Sequence, residues 1–251
     1  MSKSDVVKAD HFITRYPVGY VQPEDPNANT EMAGGSFGTN NQLHWSLNGA
    51  GYLKISENGN CPDFDSFSDT PWSSHIEKVT SVIFESGVTS IGSNSFYRTN
   101  IYGLTKASTV KTIGDNAFQN CAKLSTVSIP EGTETVGINC FRGCESLQMV
   151  TFPSTIKEVK ESAMMSNEAL TTVKFTPGDI TVTIGNSLFA HCYALKDLTL
   201  PTLMDKISEY MFFSSKMYYL YIPNGVQSIE TYAFQQSFIA TLVIPNSVKL
   251  Y

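Results

Sequence analysis

The side chains best suited to chemistry in this 251-residue chain are four histidines, five cysteines and a run of three aspartates. His11, His44, His75 and His191 lie in separate segments, with no H-E-x-x-H and no G-x-S-x-G around them. His191 adjoins Cys192, but neighbouring side chains diverge at such a step and do not form a nucleophile–base pair. Asp63, Asp65 and Asp69 in "CPDFDSFSD" have the look of a calcium loop without the central Gly and closing Glu of an EF-hand; they read as a solvated loop. Cys121, Cys144 and Cys192 each follow a Phe by three residues, and Thr99, Asn167, Ser215 and Ser237 hold the matching places elsewhere. A position shared by Cys, Thr, Ser and Asn is one for small packed side chains. Cys121 and Cys144 are one period apart, so a disulfide between them is geometrically open. No zinc-like spacing converges, and the sequence implies no metal, no cofactor and no catalytic residue.

The regular spacing of those cysteines comes from a repeat. Aligned on I-x-x-x-x-F, the chain gives Ile91/Phe96, Ile113/Phe118, Val136/Phe141, Val159/Met164, Ile184/Phe189, Ile207/Phe212 and Ile229/Phe234. The first members advance by 22, 23, 23, 25, 23 and 22 residues. A second signature recurs between them: "LSTVSIP", "LQMVTFP", "LTTVKFTP", "LKDLTLP", "LYIP" and "LVIP". Its alternating apolar residues mark a short strand, and the Pro ends ladder pairing. A single repeat of this length cannot cover its own apolar face, so repeats must stack. The pattern therefore predicts a mainly β solenoid of stacked coils. Each coil supplies one strand of a parallel sheet and one irregular or short helical arm. Ile113, Phe118, Leu124, Val127 and Ile129 are expected to point inward, each on its counterparts above and below.

The L-x-x-V-x-I core belongs to the leucine-rich repeat pattern. Together with "TSIGSNSF", "KTIGDNAFQNC" and "SIPEG" at about 23 residues, it resembles the BspA-like leucine-rich repeat family. Residues 45–92 resemble that family's N-terminal capping region. The resemblance implies a right-handed α/β solenoid, a surface or extracellular location, and an adhesion or host-interaction role rather than catalysis. The chain departs from the pattern at Met164, which replaces the Phe, and near residue 180, where one coil is two residues longer.

Three regions are expected. Residues 1–42, rich in Pro, Gly and Asn, read as a flexible lead or an arm that anchors on a partner. Residues 43–79 read as a β-hairpin cap, with "LHWSL" and "GYLKIS" alternating about the turn "NGAG". Residues 80–251 carry the repeats. After "IPNSVKLY" the last coil has no polar cap in this sequence; it is either cut there or covered by another chain.

Composition narrows the partner. Charged residues are 16% of the chain and the net charge is −6, with no basic cluster longer than two residues, which argues against nucleic acid. No stretch is long and apolar enough to span a membrane, and no leader or N-glycosylation sequon is visible. The outward strand positions are mostly Thr and Ser, good strand formers facing water. Met149, Tyr219 and Tyr221 stand out from them, and with Lys174 and Asp197 they form the expected contact set for a protein or glycan. The same features also suit a structural subunit of a large particle, such as a virion or secretion apparatus, anchored through residues 1–42.

Overall fold

The computed structural model describes residues 30–105 and 108–249. Most of the expected lead, residues 1–29, lies outside the described residues. The chain winds as a parallel-sheet solenoid of about seven turns. The recurring L-x-x-V-x-I segments form one stack of strands: Tyr52–Glu57, Ser81–Phe84, Gly103–Thr105, Thr126–Ser128, Met149–Phe152, Thr172–Phe175, Asp197–Thr199, Lys216–Tyr221 and Phe238–Val243. We call this the long-strand face.

The other half of each coil departs from expectation. The Ile of I-x-x-x-x-F sits in a second, two- to four-residue strand, so each coil carries two strands and not one. These strands are Val88–Ile91, Thr112–Ile113, Thr135–Val136, Glu158–Val159, Thr183–Ile184, Lys206–Ile207 and Ser228–Ile229. They pair in parallel, Ile113 opposite Val136 and Val136 opposite Val159.

The arm that follows is not helical. Each arm has two residues in the left-handed region, four apart: Asn94/Arg98, Asn116/Asn120, Asn139/Gly143, Ser162/Ser166, Ser187/His191, Tyr210/Ser214 and Tyr232/Gln236. Asn is the residue best suited to that conformation after Gly, which accounts for its use in three of the seven coils. The turns aim alternate N–H groups at the next coil. Asn116, Phe118 and Asn120 donate to the carbonyls of Ile138, Cys140 and Arg142 at 2.8, 2.9 and 2.7 Å. The arms thus form a third hydrogen-bonded array, which meets the requirement that buried backbone groups be paired without forming regular strands.

The core is built in columns. Trp72, Phe96, Phe118 and Phe141 stack face to face at centroid distances of 5.4, 5.4 and 5.3 Å. Met164 continues the column, fully buried. Phe189, Phe212 and Phe234 complete it at 5.9 and 5.4 Å. Leu124, Val127 and Ile129 point into the same core.

The cap is larger than a hairpin. Leu43–Asn48 and Tyr52–Glu57 pair antiparallel about the "NGAG" turn. A further strand, Glu31–Phe37, drawn from residues assigned to the lead, pairs antiparallel with Leu43–Asn48. Tyr52–Glu57 then pairs in parallel with Ser81–Phe84, so cap and solenoid share one sheet. Trp72 heads the aromatic column, its indole N–H donating to the Ser95 carbonyl at 3.0 Å. Phe37 and Phe64 meet its ring edge-on at 5.4 and 5.8 Å.

One boundary is weaker than the rest. Among the described residues neither ladder crosses from the coil ending at Thr199 to the coil beginning at Lys206. Arm hydrogen bonds cross it, as does the Val182 N–H to the Leu203 carbonyl. Arm side chains add to this: His191 lies edge-on to Phe213 at 5.2 Å, Phe213 meets Tyr210 at 5.7 Å, and Tyr210 stacks on Tyr232 at 5.2 Å. This aromatic seam bridges the boundary where the sheets do not.

Candidate binding face

The long-strand face presents its outward side chains in rows along the solenoid. Met149 pairs in register with Thr126 and Thr172, Thr172 with Asp197, and Lys174 with Thr151 and Thr199. Tyr219 and Tyr221 lie on the next strand, opposite Thr241 and Val243. Met149, Lys174, Asp197, Tyr219 and Tyr221 therefore fall on one face, over four successive coils, all exposed. Gly103, which opens the strand Gly103–Thr105, is buried.

Sequence reasoning missed two prominent members of this face. Tyr218 is 79% exposed and Phe238 66%, against 50% for Tyr219 and 47% for Tyr221. The reason is a slip in alternation. In L-x-x-V-x-I the first and fourth residues both point inward, so the two between them both face out. Aligning "MYYLYIP" on its last four residues hides this. Met217 holds the Leu place and is buried with Leu220 and Ile222, leaving Tyr218 and Tyr219 side by side in solvent. Their backbone lies in the ladder, so what they offer a partner is ring surface and hydroxyl groups. The Tyr221 hydroxyl donates to Asn224 Oδ1 at 3.2 Å.

The other candidates for chemistry are absorbed by the scaffold. Cys61, Cys121, Cys144 and Cys192 are free and buried, so the disulfide open to Cys121 and Cys144 is not formed. Both thiols instead donate to main-chain carbonyls of the preceding coil, Phe96 at 3.1 Å and Phe118 at 3.2 Å. Burial pushes the Cys61 thiol up to about 11 and the Cys192 thiol up to about 12. Burial also raises Cys144 well above the usual thiol range. A thiol that does not ionise is a poor nucleophile. His191 and Cys192 point apart: the imidazole Nδ1 meets the Tyr193 hydroxyl at 3.0 Å, and the thiol donates to the Met164 carbonyl at 3.3 Å.

In the aspartate run, Asp63 accepts the Ser93 N–H at 2.7 Å and Asp69 accepts the Ser66 N–H at 2.9 Å. Among the described residues no three His, Cys, Asp or Glu side chains converge as a metal group. The enclosed recess beside the longer coil, lined by Ile156, Phe175, Val182 and Pro201, holds about 10 Å³, no more than one water. A second depression, between Thr155 and Asp179, has a volume of about 560 Å³ and is widely open to solvent.

A solenoid whose coils are held by parallel ladders over like-on-like columns is a repeat scaffold. The repeat region matches the family described as BspA type leucine rich repeat region, in 6 copies over residues 74–182 and 149–250. The chain belongs to that family of repeat solenoids, which are generally non-enzymatic scaffolds. No curated protein matches the sequence.

Several crystal structures are similar at low identity, among them the following three. A leucine-rich repeat protein from Eubacterium ventriosum is 18% identical over 86% of this chain and 92% of its own, with a TM-score of 0.38. A leucine rich cell surface protein from Faecalibacterium prausnitzii is 19% identical over 85% and 89%, with a TM-score of 0.32. A leucine rich repeat protein from T. pallidum is 17% identical over 63% and 90%, with a TM-score of 0.43. Among the described residues no helix is long and apolar enough to cross a membrane.

Proposed function

We propose that this chain is a non-catalytic recognition or adhesion module, working at a cell surface or outside the cell. It binds a protein or glycan through the long-strand face, with Met149, Lys174, Asp197, Tyr219 and Tyr221 among the contacts. The observation that carries this reading is the exposure of Tyr218, Tyr219, Tyr221 and Phe238 together on two adjacent strands of a scaffold that buries Trp72, Phe96, Phe118, Phe141, Phe189 and Phe212. Tyr brings large, stiff contact area and a polar tip, and exposed apolar patches of this kind mark interaction sites. Family membership supports a role in binding and supplies no catalytic machinery.

The test is attachment of the labelled full chain to cells and to matrix-coated surfaces, comparing wild type with Tyr219→Ala/Tyr221→Ala. Attachment that falls with an unchanged thermal melt supports the reading; undiminished attachment overturns it.

A second reading, a structural subunit of a large particle such as a virion, draws on the last coil. Ile229, Phe234, Ile239, Leu242 and Val248 are only partly buried there, and Ile244 is 47% exposed. Further polypeptide, or a neighbouring subunit, would cover that end. Recovery of the chain only within a multi-chain assembly would favour this reading.

A further inference from the structure

The charge around the tyrosine strand points to a class of partner. Three lysines surround it: Lys216 begins the same strand, Lys196 precedes Tyr218 by one coil, and Lys174 lies one coil before that. All three are exposed, and among the described residues none makes an ion pair. Other lysines do find acids: Lys111 and Lys157 both reach Glu134, Lys157 at 2.6 Å, and Lys54, at the N-terminal end of the long-strand face, reaches Glu85 at 3.5 Å. Asp197 is the single acid among the outward positions of the strands Asp197–Thr199, Lys216–Tyr221 and Phe238–Val243. A locally basic, aromatic patch is thus carried by a chain of net charge −6. A patch of that sign on a protein of the opposite sign selects anionic partners by complementarity.

The face also restricts how a partner binds. The strand Lys216–Tyr221 is paired with Phe238–Val243 along one edge, so a partner lying flat on the face meets side chains and not free backbone groups. Beside the tyrosine rings it offers the hydroxyls of Thr199 and Thr241, both of which border solvent, with Thr172 one coil further back. Flat rings for C–H faces, hydroxyls for hydroxyls and unpaired cations for acid groups are the needs of a charged sugar polymer.

We infer that the partner of this face is an anionic polysaccharide, its sugar rings against Tyr218, Tyr219 and Tyr221 and its carboxylate or sulfate groups at Lys174, Lys196 and Lys216. The inference rests on the recognition reading above and names the ligand class for the same face.

The test is retention of the full chain on immobilised heparin, polygalacturonate, dextran and polyglutamate at low salt. Binding to heparin or polygalacturonate, but not dextran, is expected, and high salt should release it. Lys196→Glu/Lys216→Glu should weaken it about tenfold or more. Tyr218→Ala/Tyr221→Ala should weaken it comparably while leaving the circular dichroism spectrum unchanged. Equal retention on dextran, tighter retention on polyglutamate than on both acidic polysaccharides, or no retention on either acidic polysaccharide overturns the inference. If cell attachment needs Tyr219 and Tyr221 yet neither acidic polysaccharide competes with it, the glycan assignment falls while the recognition reading stands. If attachment ignores those tyrosines, the recognition reading itself falls.

Discussion

Phe118 and Tyr219 occupy coils of the same design and meet opposite fates. Phe118 is fully buried between Phe96 and Phe141, with rings 5.4 and 5.3 Å away and nearly parallel. Tyr219 is 50% exposed beside Tyr218, on a strand whose inward places are already taken by Met217, Leu220 and Ile222. The arm position has to be filled in every coil, because a gap there would remove contact area from two neighbours at once. The strand position is free of that demand, since water covers it equally well. An aromatic residue at the first position is therefore explained by packing, and one at the second by packing only if something outside the chain covers it.

This contrast is most severely tested at the column. Phe118→Ala should cost about 3–5 kcal/mol, because it opens a cavity that both adjoining coils border. Urea unfolding should show it as a lower midpoint. A cost no greater than that of a surface change would mean that the column does not hold the coils together.

Buried thiols give the next test. Their folded-state pKa values, about 11 for Cys61 and about 12 for Cys192, lie above the ordinary thiol value of 9.0. Between pH 9 and those values the unfolded chain loses the protons and the folded chain keeps them. Stability is therefore whole below pH 9 and falls as pH rises above it, by about 1.4 kcal/mol per pH unit for each such thiol. Melts across that range should show the decline, and Cys192→Ser should reduce its slope. The same thiols should resist alkylation until denaturant is added.

A smaller effect is expected at the seam. Phe213→Ala removes the ring that joins His191 to Tyr210 across the boundary that, among the described residues, neither ladder crosses, and should cost about 1–2 kcal/mol. Hydrogen exchange should then quicken in residues 206–249 more than in residues 112–199. The smallest effect on stability belongs to the exposed strand, where Tyr219→Ala/Tyr221→Ala should shift unfolding by about 0.5 kcal/mol or less. If recognition is its role, the same double variant should reduce cell attachment about tenfold or more. Large stability loss there would place the tyrosines with the packing residues and erase the distinction drawn above.

Much of this is legible in the sequence. The separation of five residues in I-x-x-x-x-F located the column, and Met164, which breaks the consensus, still holds its place in it. Cys121 and Cys144 were identified as packing residues from the Thr, Ser and Asn that stand in for them elsewhere. The exposed aromatic surface is legible only in part. Alternation gives Tyr219 and Tyr221 as outward but not Tyr218, because Met217 does not look like the Leu of its repeat. Phe238 was missed because it precedes the strand motif and has Lys216, not an apolar residue, as its partner in the adjacent coil.

What the sequence determined alone is the period and the inward set, because burial of apolar side chains demands a fixed spacing and leaves it written in residue types. The second ladder, the left-handed arm turns, the third strand of the cap and the seam at Thr199–Lys206 were decided only by the tertiary structure. They depend on hydrogen bonds between backbones of successive coils, and a backbone N–H or carbonyl looks the same under nearly every side chain.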